Sequence, residues 1–375
     1  MGIQSIVALA TFASVAQATS YTLAKTYSGS TFFDDWSYYG NYDNLTLGDV
    51  TWVNRTVADA NPELTYVNDA GNAIIKVDNT STVAYNYKRD SVRITSLDYI
   101  SVGSVWVLDA THVPYGCSVW PAFWSTGPNW PYGGEIDTFE GVNQVTYNQN
   151  TLHTTAGCTQ ASSVNQTGIT TSSDCDYSVD SNAGCAVIDN STTNTYGEGF
   201  ASAGGGAWVT EMATEGINIW FFSRADIPSA VSNANSSIDT SALGTPVASW
   251  PKSSCDIDSH FSAQQLVFDI TLCGSWAGEA SIIAETCDAL VGTDTCYTTY
   301  VLNSTNYDQA YFEIKSVKVY GSVSTTFTNT TGDSTSSSSS TSSSVSSSAR
   351  ERTMEYGVVV SAGVLSLLGA MTLFI

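Results

Sequence analysis

Short runs of β-branched and aromatic residues recur along most of the chain, separated by Gly, Asn and Asp. Examples are residues 73–77, 104–108 and 312–320. Val, Ile, Tyr, Trp and Thr favour strands, while the intervening residues favour turns. Convincing helical periodicity is scarce. The pattern therefore predicts an all-β chain, folded as an antiparallel β-sandwich with a substantial core.

The alternation breaks in one strand-like segment, GGEIDTFEG, which holds Glu135, Asp137 and Glu140 although only 13% of the chain is charged. On a regular strand Glu135 and Asp137 point to the same face, and the next position on that face is Phe139. One inserted residue, a β-bulge, would return Glu140 to the face of the other two acids. The bulge would also turn Phe139, or Thr138 with it, toward the packed side.

Three acids on one face of a cleft suit acid–base chemistry. Asp137 would lie between the two glutamates and push their pKa values apart. One glutamate then stays ionised as a nucleophile, and the other stays protonated as the acid that donates to a leaving oxygen. Retaining glycosidases hold such a pair about 5–5.5 Å apart, which suits neighbours on one strand face. The residues alone also allow an acidic strand facing solvent or a calcium site, and they do not say which glutamate has which role.

The segment from 120 to 143, WPAFWSTGPNWPYGGEIDTFEGVN, resembles glycoside hydrolase family 16, and more narrowly the fungal laminarinase-like endo-β-1,3(4)-glucanases. The resemblance spans roughly residues 21–320. It includes SVRITS at 91–96, HVPYGCSVWPAFW at 112–124, INIWFFSRADIP at 217–228 and LVFDITLCGSWAG at 266–278.

The resemblance implies a jelly roll of the concanavalin A type with a concave glucan-binding cleft. It assigns Glu135 as the nucleophile, Glu140 as the general acid/base and Asp137 as the residue that assists them. Family members that lack the extra residue between Asp137 and Glu140 belong to other branches, which include cell-wall transglycosylases. The motif therefore favours hydrolysis.

Aromatic side chains are candidate platforms for sugar rings, because the apolar C–H faces of a sugar pack on aromatic rings. Trp124 and Trp130 precede the acidic strand and are the predicted platforms. The resemblance places polar sugar contacts at Arg93 and His153. Trp276 is predicted to close another subsite.

The remaining aromatic and histidine residues are expected to be structural for the most part. Trp106 and Trp220 are predicted to fill the core. The three histidines, His112, His153 and His260, are too few and too scattered to indicate a metal site, and His112 is interpreted as structural. Neither a metal nor a cofactor is predicted.

The formal net charge is −23, and the isoelectric point is near 4.1. Such a chain repels nucleic acid and anionic polymers, so a neutral polysaccharide is the more compatible partner, although the charge equally suits solubility at acidic pH. The expected partner is β-glucan, and the protein is expected to be a monomer. Eight cysteines, an even number, predict disulfides whose pairing the sequence does not give. Eight Asn-X-Ser/Thr sequons agree with an exported chain, at Asn44, Asn54, Asn79, Asn165, Asn190, Asn235, Asn303 and Asn329.

Both ends of the chain carry signals for export and attachment. Residues 1–18 have a short apolar stretch that ends in Ala-Gln-Ala, as secretory signal peptides do. A Ser/Thr-rich stalk at 322–349 precedes a polar spacer and an uncharged tail. Residues 350–375 are interpreted as a glycosylphosphatidylinositol (GPI) attachment propeptide rather than a membrane-spanning helix, since no basic flank follows the tail. The catalytic domain is placed at 19–321, outside the cell, with a GPI anchor at the plasma membrane or in the cell wall.

Three functions fit these observations. The favoured one is retaining endo-hydrolysis of β-1,3 or mixed β-1,3/1,4-glucans. The second is transglycosylation of β-glucan in the cell wall, which uses the same glycosyl-enzyme intermediate. The third is a non-catalytic glucan-binding surface protein, disfavoured because all three acids are present.

Overall fold

Twenty-two β-strands build the framework of residues 20–326, the part of the chain that the computed structural model describes. In chain order they are β1 (Ser20–Ser28), β2 (Trp36–Tyr38), β3 (Asn41–Tyr42), β4 (Val50–Trp52), β5 (Thr65–Val67), β6 (Ala73–Lys76), β7 (Arg89–Ser91), β8 (Arg93–Ser96), β9 (Tyr99–Ile100), β10 (Ser104–His112), β11 (Val119–Thr126), β12 (Glu135–Glu140), β13 (Asn148–His153), β14 (Ile169–Thr170), β15 (Cys185–Asp189), β16 (Gly206–Ala213), β17 (Gly216–Ser223), β18 (Ser237–Asp239), β19 (Ala248–Pro251), β20 (Gln265–Leu272), β21 (Tyr311–Tyr320) and β22 (Val323–Ser324).

The helices between these strands are short. The α-helices are α1 (Arg55–Ala60), α2 (Gly197–Ser202), α3 (Ser229–Ser232), α4 (Ile257–His260), α5 (Gly274–Ala277) and α6 (Ala280–Thr286). Four 3₁₀ turns (Gly29–Thr31, Arg224–Asp226, Thr240–Ala242 and Ser304–Tyr307) and a π turn (Tyr297–Val301) complete the described helical elements. Within residues 20–326 no helix has the length and apolar character needed to cross a membrane.

Two antiparallel sheets build the sandwich. One has the order β18-β1-β21-β10-β16-β17-β19, with β6 also pairing with β21 and β5 with β6. The other, which carries the acidic strand, has the order β14-β15-β13-β12-β11-β20-β8-β2. The predicted all-β antiparallel sandwich is therefore confirmed. The three strands predicted from apolar runs correspond to β6, β10 and β21.

Alternate residues of β10 divide between two apolar clusters. Trp106 and Leu108 belong to the main core, which also contains the inward side chains of the acid-bearing sheet. Val105 and Val107 belong to a second cluster on the other face of their sheet, together with Trp220. Trp106 is fully buried and Trp220 is 5% exposed, so the prediction that both tryptophans fill the core is confirmed.

Phe139 joins the acidic strand to the main core. Its ring is fully buried and lies 5.4 Å from that of Tyr196, 5.2 Å from Trp208 and 5.8 Å from Phe312, between ring centroids. We expect Phe139→Ala to lower the free energy of unfolding by about 3–5 kcal/mol, because it removes buried apolar area and leaves a cavity. Urea denaturation measures the loss. The control is Tyr132→Ala, at a 73% exposed side chain, and an equal loss in both variants would contradict the expectation.

Four disulfides account for all eight cysteines, so the predicted disulfides are confirmed and their pairing is established. The pairs are Cys117–Cys287, Cys158–Cys255, Cys175–Cys185 and Cys273–Cys296.

The predicted domain boundaries remain predictions. The signal peptide at 1–18, the stalk from 327 onward and the GPI propeptide at 350–375 lie outside the described residues. Val323–Ser324 pair with Tyr99–Ile100, just beyond the predicted domain end at 321.

Candidate active site

Strand β12 contains the predicted bulge, and it lies at Thr138. The neighbouring strand β11 has residues opposite Asp137 and Phe139 but none opposite Thr138. The register with β13 also shifts between Asp137 and Glu140. Because of this extra residue, Glu140 returns to the cleft face of Glu135 and Asp137. Thr138 and Phe139 both turn to the core, where they are 1% and 0% exposed.

Two asparagines on β13 stabilise the bulge. The Thr138 carbonyl accepts hydrogen bonds from Asn150 Nδ2 at 2.6 Å and Asn148 Nδ2 at 3.1 Å. The amide of Asn148 also bridges the bulge, since its Oδ1 accepts from the Glu140 N–H at 3.0 Å. The sequence analysis missed both residues. The sequence did offer a signal for them, namely two asparagines at alternate positions of one strand. Both side chains are buried, where apolar residues are expected.

The Glu140 carboxyl is held by Trp120, whose Nε1 donates to Glu140 Oε1 at 2.9 Å. Burial raises the pKa of Glu140 to about 7, while the hydrogen bond from Trp120 and the charge of His153 limit the rise. Trp276 packs edge-on against Trp120 with ring centroids 5.4 Å apart. Glu140 can thus hold a proton near neutral pH, next to Trp120 and Trp276.

The Glu135 carboxylate accepts a hydrogen bond from Trp130 Nε1. Trp130 is 43% exposed, and its ring meets that of Tyr177 edge-on at 5.3 Å. The structure therefore places the predicted Trp130 directly beside Glu135, where it orients one carboxylate oxygen and also presents an open aromatic surface.

Asp137 and His153 form a buried pair, with 3.4 Å between Asp137 Oδ2 and His153 Nε2. Burial alone would lower the pKa of His153, but the contact with Asp137 and the charges of Glu135, Asp137 and Glu140 outweigh it and raise the pKa to about 10. Burial, followed by the charge of Glu135, also raises the pKa of Asp137. The two groups titrate together, because protonating Asp137 would remove part of the negative charge that stabilises the imidazolium. Asp137 Oδ2 and His153 Nε2 therefore share one proton. We assign this proton to His153, which three carboxyl groups surround.

Arg93 and Trp124 meet at a carboxylate that the sequence analysis missed. Asp269 Oδ2 accepts from Arg93 Nη1 at 3.2 Å and from Trp124 Nε1 at 3.1 Å. Burial raises the pKa of Asp269 to about 6, against the charge of Arg93. The guanidinium lies 4.9 Å from the Trp124 ring and also stacks near Tyr39 and Trp52. Arg93 therefore fixes the orientation of Trp124, and its predicted direct contact with sugar remains a prediction.

The predicted residues therefore lie in one region of the acid-bearing sheet, with Glu135, Asp137, Glu140 and His153 at its centre. The ligand atoms of Glu135, Asp137 and His153 lie within 4.8 Å of one another, a grouping able to hold a metal ion, while the prediction that none binds there is untested. His112, interpreted as structural, lies elsewhere. It is 6% exposed, and its Nδ1 lies 2.8 Å from a backbone carbonyl.

Comparison with known proteins supports both the fold and the family that the sequence resembles. The profile of the XgeA-like catalytic GH16 domain matches residues 36–320. A Schizosaccharomyces pombe protein named as a glycosidase is 39% identical over 307 residues, which are 81% of this chain and 70% of that protein. The chain spans about half the length of the Aspergillus endo-1,3(4)-β-glucanases that it also matches.

Two solved structures are similar over 80% of this chain and 99% of their own, at 37% identity. The first is laminarinase 16A from Phanerochaete chrysosporium, with β-glucans in donor and acceptor sites, at a TM-score of 0.75. The second is an elongating family 16 β-1,3-glucosyltransferase, at a TM-score of 0.73. The family profile covers most of the chain, and the two similar structures share its fold. The chain therefore belongs to glycoside hydrolase family 16.

Proposed function

We propose that the protein is a retaining endo-hydrolase of β-1,3 or mixed β-1,3/1,4-glucans. The bulge at Thr138 carries this proposal, because it brings Glu135, Asp137 and Glu140 onto one face of a cleft. The names of the endo-1,3(4)-β-glucanase relatives and the glucans bound to the fungal laminarinase support the substrate class. The protonation of the site supports the mechanism, since the pKa of Glu140 is raised to about 7 beside a group of acids.

In the first step, Glu135 attacks the anomeric carbon while Glu140 protonates the glycosidic oxygen. The C–O bond to the leaving glucan breaks, and an ester bond to Glu135 forms. In the second step, the ionised Glu140 takes a proton from water, whose oxygen displaces Glu135 from the anomeric carbon. Two inversions give net retention, and Glu140 regains the proton that it lost.

Neighbouring side chains orient the two glutamates. Trp130 donates to one Glu135 oxygen and so orients the other toward the sugar. Trp120 does the same for Glu140. The imidazolium of His153, paired with Asp137, adds a positive charge beside the three acids.

The pH profile of kcat/KM tests the acid role of Glu140. Glu140 must carry its proton in the first step, so kcat/KM is expected to fall as the pH rises through about 7. Initial rates on laminarin-derived oligosaccharides across the pH range measure this limb. Trp120→Phe provides a matched change, because loss of its hydrogen bond to the Glu140 carboxylate moves the limb to higher pH. A limb that stays in place in this variant argues against Glu140 as its origin.

Transglycosylation is the second candidate, supported by the similarity to the elongating glucosyltransferase. Incubating the protein with laminarin, barley β-glucan and a labelled acceptor oligosaccharide separates the activities. We expect new reducing ends with little labelled polymer. Mainly labelled polymer would establish the transferase, and retention of glucan with neither product would leave a binding protein.

We further propose that the protein acts outside the cell as a monomer, GPI-anchored at the plasma membrane or in the cell wall. The four disulfides support an oxidising compartment. Six of the seven sequon asparagines in residues 20–326 are exposed, namely Asn44, Asn54, Asn165, Asn190, Asn235 and Asn303, while Asn79 is half-buried. Release of the native protein from membranes by a phosphatidylinositol-specific phospholipase tests the anchor, and retention after treatment would contradict it.

A further inference from the structure

A disulfide-closed loop, residues 175–185, contacts the side chains that pair with Glu135 and Asp137. Its ends are attached to β13 on either side of His153. At one end the Cys175 carbonyl accepts from the Thr154 N–H at 2.7 Å, and at the other Cys185 pairs with Leu152. The Cys175–Cys185 bridge closes the loop. His153 is thus the residue of β13 that the loop brackets.

The loop holds the imidazole of His153 through Asn182. Asn182 Oδ1 lies 2.9 Å from His153 Nδ1. A carbonyl oxygen only accepts hydrogen bonds, so Nδ1 carries a proton and donates it. The ring is then fixed with its other nitrogen, Nε2, toward Asp137, and the proton that the pair shares lies on that side.

The backbone of the loop is unusual where it presents this amide. Asp180, Ser181 and Asn182 all have positive φ, at 47°, 57° and 63°. Three consecutive non-glycine residues in the left-handed region cost free energy and persist only when the surroundings hold them. Gly184 shows how closely the loop approaches the strand, since a Cβ there would lie 2.8 Å from Cε1 of His153.

The same loop also reaches Glu135. Tyr177 is anchored by its N–H to the Thr154 carbonyl at 2.9 Å, and its ring meets that of Trp130 edge-on. Trp130 in turn donates to Glu135. One loop therefore touches both His153, the partner of Asp137, and Trp130, the hydrogen-bond donor to Glu135.

We propose that Asn182 is a positioning residue for the catalytic acids, which acts through His153 and depends on the Cys175–Cys185 closure of its loop. This inference rests on the proposed function for its kinetic consequences but not for its geometry. The charged groups that face His153 are Glu135, Asp137 and Glu140, all on β12. On the loop side the ring faces the Asn182 amide and the backbone at Gly184.

Asn182→Gly tests the proposal with little risk to the fold, because Asn182 is exposed and glycine accepts its left-handed backbone. We expect kcat/KM to fall by about tenfold, mostly in kcat, since a reoriented ring displaces the catalytic charges. The alkaline limb should move to higher pH, because a less firmly protonated His153 lowers the pKa of Glu140 less. Asn182→Asp, which keeps an acceptor oxygen, should restore most of kcat/KM.

A readout without substrate separates this proposal from the proposed function. The chain has three histidines, so ring nitrogens can be assigned in long-range ¹H–¹⁵N spectra. We expect protonated Nδ1 at His153 in the native protein, and a lower His153 pKa in Asn182→Gly. An inactive native protein with this spectral change would overturn only the function. Unchanged His153 signals in Asn182→Gly would overturn the positioning role.

The disulfide is tested by comparing Cys175→Ser/Cys185→Ser with Cys117→Ser/Cys287→Ser. The bridges span 10 and 170 residues, and a bridge that closes the longer loop restricts the unfolded chain more. The control pair should therefore lower Tm more, while the loop pair should lower kcat/KM more and alter the His153 signals. If the loop pair leaves both kcat/KM and those signals unchanged, the closure has no role.

Discussion

Glu135→Ala is expected to reduce hydrolysis of β-1,3-glucan by about 10⁴-fold or more, because the first bond-forming step loses its nucleophile. The loss should appear in kcat and in kcat/KM together, since the residue acts in the transition state. Glu135 lies on the cleft face of β12 and is half-buried, so the fold should tolerate alanine. Urea denaturation of the variant checks this. Glu63→Ala, at an exposed glutamate, is the control and should retain native activity.

The chemistry of rescue distinguishes a nucleophile from a residue that merely supports the site. Azide fits the space left by the Glu135 carboxylate and attacks the anomeric carbon of an activated β-glycoside directly. A single inversion gives an α-glycosyl azide, which NMR identifies. Undiminished activity in Glu135→Ala would remove Glu135 from the mechanism. A β-glycosyl azide would show that another group still forms the covalent intermediate.

Much of the acidic strand β12 could be predicted from the sequence, because its signal is local. The side-chain period of a strand is two, so the interval from Asp137 to Glu140 implied an inserted residue. The structure places it at Thr138, and both Thr138 and Phe139 turn inward. The antiparallel sandwich was also predictable, since strand and turn residues alternate along the whole domain.

The partners of the acids could not be predicted in the same way, because they come from other strands. Trp120 reaches Glu140 from β11, Asp269 reaches Trp124 from β20, and His153 reaches Asp137 from β13. Which residues lie opposite one another depends on the register between strands, which sequence spacing does not determine. A lone acid in the apolar run LVFDITL was the available signal for Asp269.

The roles of the predicted substrate residues illustrate the same limit. Arg93 was predicted as a sugar contact, yet its guanidinium is nearly buried among Tyr39, Trp52 and Trp124. It does lie close to Trp124, another of the predicted residues, and its contact with sugar stays a prediction. Its distance from open solvent depends on aromatic rings that two other strands and a loop bring over it.

Glu140→Ala should separate the two chemical steps. Glucan has a poor leaving group, so loss of the proton donor is expected to lower kcat/KM by about 10²–10⁴-fold. A dinitrophenyl β-laminaribioside needs no protonation to leave, and formation of the glycosyl-enzyme from it should remain close to native. The second step still lacks its base, so the intermediate should accumulate and appear as a burst of dinitrophenol.

Azide and pH complete the test of Glu140. Azide should attack the accumulated glycosyl-enzyme and give a β-glycosyl azide, since two inversions then occur. The fall of kcat/KM above about pH 7 should be absent in Glu140→Ala, because the group responsible for it is gone. If glucan and the dinitrophenyl substrate lose activity equally, and the alkaline limb persists, the proton donor is a different residue. Asp269, whose pKa is raised to about 6 in the same cleft, would then be the next to replace.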